Sequence, residues 1–244
     1  MPEFDLVLVT LVAGSFVAAV FNAAFSAGGA LIILALTSTV LPVTAVVPIH
    51  STLLIGSTSA RVLLFRQYIE WRLVLPFLAG SAVGALLGAR LYFELPEKLI
   101  ATSIAVLMLI AIWLPQVSWR PKLRQPWLIV GFGHALLSTL FAYGAILQTV
   151  ILHTSLSRRQ IVGTVGGCLT GMAVFKISGY VFNGFDYRPY VYVIAASVVV
   201  SFFGTWLGRK FVDRVSERVF RIAFRLLVTV TAIRLIAVNL FLNN

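Results

Sequence analysis

Between Asp5 and Arg61 the chain carries no aspartate, glutamate, lysine or arginine, and a second charge-free stretch runs from Arg124 to Arg158. Average soluble chains are roughly 25% charged, and stretches like these cannot build a water-facing surface. A helix crossing the hydrocarbon of a bilayer needs about 20 apolar residues, so the first stretch alone is long enough for two crossings. Composition agrees: of 244 residues, 60% are hydrophobic and 11% charged, and the mean hydropathy is +1.00. In lipid every backbone polar group must be paired internally, which favours helices. The expected fold is an all-α polytopic integral membrane protein.

The formal net charge of +11 does not point to nucleic acid. Basic residues sit at the ends of apolar runs, as in Arg66-Gln67-Tyr68-Ile69-Glu70-Trp71-Arg72, where they meet lipid headgroups and bias topology. The series Arg218, Arg221, Arg225 has helical spacing and reads as another headgroup-facing stripe. The single cysteine, Cys168, has no internal disulfide partner. Met1-Pro2-Glu3-Phe4-Asp5 lacks the positive region of a cleaved signal peptide, so the first apolar run is expected to be retained as a helix.

Eight apolar segments can be read: Leu6–Leu36, Ala45–Phe65, Leu73–Phe93, Leu99–Leu114, Trp127–His153, Ile161–Phe182, Pro189–Phe211 and Val219–Phe241. Prolines punctuate the joins, and Trp71, Tyr92, Trp113, Trp119, Trp127, Tyr187 and Tyr190 form the aromatic belt expected at interfaces. An internal repeat emerges on comparing the halves. Gly84-Ala-Leu-Leu-Gly88 followed by Glu97-Lys98 aligns with Gly204-Thr-Trp-Leu-Gly208 followed by Glu217-Arg218, while Ala27-Gly28-Gly29-Ala30 aligns with Ala142-Tyr143-Gly144-Ala145. Arg61 aligns in the same way with Lys176. The expected organisation is two homologous repeats of four transmembrane segments, residues 1–118 and 127–244, joined by a loop at 119–126. If all eight segments cross, Arg66 and Arg72 lie on the side of the termini and Arg90, Arg158 and Arg159 on the other. A re-entrant segment would change that parity.

The first segment is too long for one crossing. Its 31 residues, Leu6–Leu36, make about 46 Å of helix at about 1.5 Å per residue, against a hydrocarbon core of about 30 Å. Ser26-Ala27-Gly28-Gly29 lies inside it. Adjacent glycines permit a helix break at membrane depth where the freed backbone lines a cavity, and a restarting helix points N–H groups into that cavity. The alternative is close packing of an unbroken helix through small residues. Tyr143-Gly144 marks the matching place in the second half. Gly84-x-x-x-Gly88 and Gly204-x-x-x-Gly208 are expected to pack helices rather than bind ligands.

Candidate site residues follow from these breaks. Asn22 and Gln148 are amides beside them, Gly28 and Gly29 form one, and His50 and His134 are titratable groups inside apolar segments. His153 is near a segment end and reads as interfacial. Arg61 and Lys176 are cations several residues inside their segments, serving either as an electropositive vestibule or as snorkelling side chains. A small oxyanion needs donors more than a full counter-charge, and opened N–H groups, amides and a titratable histidine can supply them. No His/Cys/Asp/Glu cluster of metal-binding spacing is present, no cofactor is expected, and there is no phosphate-binding Gly-x-x-x-x-Gly-Lys-Ser/Thr loop. An intramembrane enzyme would need a catalytic set in the membrane, such as Ser51 or Ser138 with His134. A passive anion channel is a third option.

Four blocks occur in order: Ser26-Ala-Gly-Gly-Ala-Leu-Ile, Pro48-Ile-His-Ser-Thr, Arg66-Gln-Tyr-Ile-Glu-Trp-Arg-Leu and Gly84-Ala-Leu-Leu-Gly-Ala-Arg-Leu-Tyr-Phe-Glu-Leu-Pro-Glu-Lys-Leu. In these the chain resembles the TauE/SafE family of sulfite exporters and related permeases. The second half carries Phe141-Ala-Tyr-Gly-Ala in place of a glycine-richer stretch. The resemblance implies a non-enzymatic, multi-pass permease of a bacterial-type inner membrane for small sulfur-containing anions such as sulfite or organosulfonates. Membrane lipids, the anion and further copies of the chain are the partners in view.

Overall fold

The computed structural model describes residues 2–25, 28–113, 126–211 and 217–237, and the described residues contain helices and no strand. The first half holds α1 (Pro2–Phe25), α2 (Gly29–Val40), α3 (Val43–Leu53), α4 (Ile55–Phe65), α5 (Trp71–Glu94) and α6 (Glu97–Trp113). The second holds α7 (Pro126–Phe141), α8 (Ala145–Ile151), α9 (Arg158–Phe182), α10 (Val191–Phe211) and α11 (Glu217–Ala237). Five spans are long and apolar enough to cross a membrane: Leu6–Ala23, Val43–Tyr68, Trp71–Glu94, Arg158–Phe182 and Arg188–Gly208. The expected all-α polytopic class is the observed one.

Side-chain placement is that of a lipid-solvated protein. Leu75, Val83, Val199 and Val230 are more than half exposed, whereas Ser81, Thr139, Thr164, Ser197 and Ser201 are buried. Lipid tails accept the outer apolar side chains, and Ser81, Thr164 and Ser201 make hydrogen bonds between elements, whereas the buried Thr139 and Ser197 hydroxyls have no partner among the described residues.

Small residues set which helices touch. On α5, a Cβ at Gly80 or Gly84 would strike the Leu128 or Phe132 carbonyl of α7, and one at Gly131 of α7 would strike Phe77 O. Ser81 donates to Gly131 O across this seam at 3.3 Å. In the same way Gly204 and Gly208 lie against Phe16 O and Val20 O, and Ser201 donates to Ser15 O at 3.3 Å, bringing α10 onto α1. Both glycine pairs therefore pack helices, as their spacing predicts. In each half the third apolar segment meets the first segment of the other half.

The α3–α4 segment, expected as one helix, is interrupted at Leu54. Ser57 and Thr58 hydroxyls donate to Leu54 O, and Ser51 and Thr52 donate to Val47 O and Ile49 O. Hydroxyls that compete for carbonyls one turn back bend a helix.

Both long first segments break where expected, but the chain turns back instead of continuing across. A Cβ at Gly14 would meet Leu36, and Gly29 lies on Ala18 O and Asn22, so α2 returns alongside α1. Leu147 N–H donates to His134 Nδ1 at 3.2 Å, so α8 returns alongside α7. A straight path would separate residues 134 and 147 by roughly 20 Å. Two consequences follow. Arg159 meets Tyr68 at 3.1 Å, so the Arg66–Glu70 loop and the start of α9 share one end of the molecule. This corrects the assignment of Arg66 and Arg158 to opposite sides, which assumed that every segment crosses.

Candidate functional site

Each hairpin turns on residues suited to it. Gly28 has φ +98°, a left-handed conformation that glycine adopts without a Cβ penalty. Asn22 on α1 reaches across, its Oδ1 accepting the Gly29 N–H at 3.1 Å, and His50 on α3 bonds Ala30 O through Nε2 at 3.0 Å. That bond makes His50 Nε2 the donor and leaves Nδ1, which is buried, without a hydrogen-bond partner among the described residues. The second tip is held differently. Ala142 carries φ +55° without being glycine, and its N–H bonds Ser138 O at 3.1 Å to end α7. His134 accepts from the start of α8 through Nδ1, so its proton sits on Nε2.

A cavity of about 1090 Å³ lies where the two tips meet. Asn22, Gly28 and Ala30 come to it from the first hairpin, and Ala142, Tyr143, Gly144 and Gln148 from the second. Arg61, Arg158 and Arg159 also line it, and no aspartate or glutamate does so among the described lining residues. Arg61 is half-buried and has no hydrogen-bond partner there among the described residues. Arg159 is steadied at the rim by Tyr68, whose ring lies 5.6 Å from its guanidinium carbon. The Gln148 side-chain oxygen is buried and unpaired among the described residues. Apolar groups such as Leu31, Leu34, Ile104, Met108 and Val165 complete the wall. Guanidinium groups in a wall that carries no acid among the described lining residues favour a bound anion.

Of the eight residues expected at the site, Asn22, Gly28, Arg61 and Gln148 line the cavity. Gly29, His50, His134 and Lys176 stand behind it. Gly29 cannot offer its N–H, because Asn22 takes it. His134 lies just beneath Gly144, whose Cβ would sit 3.7 Å from the ring. Lys176 is buried and donates inward to Ser138 O at 2.8 Å and Ser138 Oγ at 3.4 Å, so it does not snorkel. Arg61 and Lys176 thus differ in setting despite their matched places. Ser138 and His134 form no dyad, since the hydroxyl engages Ala135 O and Met172 Sδ. His153 is half-buried and bonds Thr149 O. Arg225 lies over the Trp113 ring at 5.6 Å, while the side chains of Arg218 and Arg221 are outside the described residues. No metal-binding cluster occurs among the described residues.

Sequence reasoning missed Arg158 and Arg159. The available signal was Ser157-Arg158-Arg159-Gln160, a capping box in which Ser157 Oγ accepts from Gln160 N and Gln160 Oε1 accepts from Ser157 N. It starts α9 immediately after the charge-free stretch and so brings two arginines to one level of the bundle.

Two helical hairpins meet at an arginine-lined cavity inside a bundle of membrane-spanning helices, an arrangement that suits a membrane transport protein. The family model described as Sulfite exporter TauE/SafE matches residues 11–235, nearly the whole chain, and the chain belongs to that family. Comparison with curated proteins and with solved structures gives no match.

Proposed function

We propose that the chain is a secondary transporter that carries small sulfur-containing anions, such as sulfite or organosulfonates, across the inner membrane by alternating access between two repeats. The observation that carries this reading is the cavity itself: Arg61, Arg158 and Arg159 beside two amides, with no acidic side chain among the described lining residues. Family membership supports the sulfur oxyanion as cargo. Asn22, Gly28, Arg61 and Gln148 contact the anion, while Gly29, His50, His134 and Lys176 fix the hairpin tips around it.

The helix directions support two inverted repeats. Each half is a hairpin followed by three passages, and an odd number of passages inverts the second half. Reciprocal packing of α5 on α7 and of α10 on α1 is what such a two-fold relation requires. One-sided access is supported by the far end of the bundle. There Tyr92, Phe93, Tyr180, Phe185, Tyr187 and Tyr190 stack edge-to-face and face-to-face, and none of them lines the cavity. From Arg158 to Tyr180 along α9 is about 33 Å, a bilayer thickness. An arrangement open at one end and plugged at the other suits a carrier better than a passive channel. Arg61 serves the open end, and Lys176 occupies the corresponding depth on the closed end.

The test is counterflow with purified protein in liposomes preloaded with sulfite. External sulfite or a small organosulfonate should accelerate exchange of labelled sulfite, with chloride a weak competitor. Exchange no faster than in protein-free liposomes for every sulfur anion tried would reject the reading.

A further inference from the structure

The second hairpin turns at Ala142, where a non-glycine residue is held at φ +55°. Left-handed backbone is costly for alanine because its Cβ crowds the carbonyl, so something around it must hold it there. Two side chains of α9 approach from behind. Lys176 Nζ donates to Ser138 O at 2.8 Å, and Tyr180 OH donates to Thr139 O at 2.6 Å. They are four residues apart, hence on one face of α9, and they take two successive carbonyls of the last turn of α7. Ser138 O is also the acceptor of the Ala142 N–H that closes the turn. A helix C-terminus is the negative end of the macrodipole, so a lysine there is favoured, and more so away from water. Both side chains are buried, at 4% and 0% exposure, and Lys176 has no carboxylate partner among the described residues. Its described hydrogen bonds all go to Ser138.

We infer that Lys176 and Tyr180 are positioning residues: together they cap α7 so that Ala142 stays left-handed and Tyr143 and Gly144 face the cavity. Neither touches the anion, and neither lines the cavity in this structure. They act on transport through the backbone of residues 142–144. The first hairpin turns on Gly28 and needs no such cap for its φ. The inference rests on the transport reading for its functional consequence, but its structural core is separable from it.

The experiment combines Lys176→Met and Tyr180→Phe, each with and without Ala142→Gly. Glycine accepts the left-handed conformation unaided, so it should make the cap dispensable. Two readouts are taken on purified protein in liposomes. The first is the rate at which a charged methanethiosulfonate reagent labels Tyr143→Cys. Cys168 is buried, and the chain without Tyr143→Cys serves as the blank. Without the cap, Ala142 should relax into the right-handed region, extend α7 and withdraw position 143. Labelling should then slow on the order of tenfold, the equilibrium change expected for loss of a hydrogen bond to a charged group. Ala142→Gly should recover most of that loss. The second is sulfite counterflow, where cap loss should lower the maximal rate more than it raises KM, with the same recovery. Labelling at the parental rate in both cap variants, or no recovery with Ala142→Gly in either, would overturn the inference. If Lys176→Met does not fold, Tyr180→Phe alone decides. Absence of counterflow in the parent chain would strike the transport reading and leave the labelling arm to judge the cap.

Discussion

Asn22 has two jobs that a substitution can separate. Its Oδ1 holds the Gly29 N–H, and the side chain also faces the cavity. In Asn22→Ala the Gly29 N–H loses its partner, which should cost about 1–3 kcal/mol of stability. Asn22→Asp keeps an acceptor at that place but introduces a negative charge into an arginine-lined, anion-binding wall. It should melt in detergent within a few degrees of the parent while its KM for sulfite rises several-fold. Equal KM values for Asp and Asn would remove Asn22 from the anion site. Glycine positions make a similar contrast. Gly28→Ala must hold φ +98° with a Cβ and should lose about 1–2 kcal/mol. At Gly133, by contrast, a Cβ meets nothing within 4 Å, and Gly133→Ala should be neutral or stabilising by up to about 1 kcal/mol. Thermal unfolding of the two variants side by side checks this. At the residue scale the first break was legible as adjacent glycines inside a run too long for one crossing, and the second only through its alignment with the first. The divergence of Arg61 and Lys176 was not legible. Both are cations at matched depth, and only the turn of the second hairpin, which exposes carbonyls to Lys176, tells them apart.

Among the elements, the helix seams depend on backbone contact. The Gly131 position on α7 is closed by the Phe77 carbonyl of α5, so Gly131→Ala should push the two helices apart and destabilise the protein by about 1–3 kcal/mol. Loss of thermal stability in detergent should follow, while unchanged stability would mean that the α5–α7 seam is looser than described. Glycine spacing identifies the packing face of α5 and α10 but not the partner. Which helix a small-residue face meets depends on the path of the chain, and that path was altered by the hairpins. A run of 31 apolar residues is equally compatible with a broken helix that continues and one that reverses. The contacts of Gly14 with Leu36 and of Gly29 with Ala18 and Asn22 decide it. The interruption at Leu54 left a signal that periodicity does not register, namely five hydroxyl residues, Ser51, Thr52, Ser57, Thr58 and Ser59, in one short segment.

For the whole molecule, the hairpins fix which loops share a side. Single-cysteine reporters at Arg66 and Thr154 should react from the same compartment, and reporters at Glu94 and Asp186 from the other. If Arg66 and Thr154 were reached from opposite sides, at least one hairpin would have to cross the membrane. The same topology makes the cavity the meeting place of the two hairpin tips, with arginines supplied from α4 and α9. The central claim is that this cavity holds the anion, and Arg61 tests it most directly because its guanidinium has no hydrogen-bond partner among the described residues and no other evident duty. Sulfite counterflow should be measured for the parent and for Arg61→Gln, at equal membrane abundance, in low and in high salt. The account predicts a KM for sulfite raised about tenfold or more in Arg61→Gln, with the difference largest at low ionic strength. A KM for Arg61→Gln equal to the parent value at both salt concentrations would contradict it.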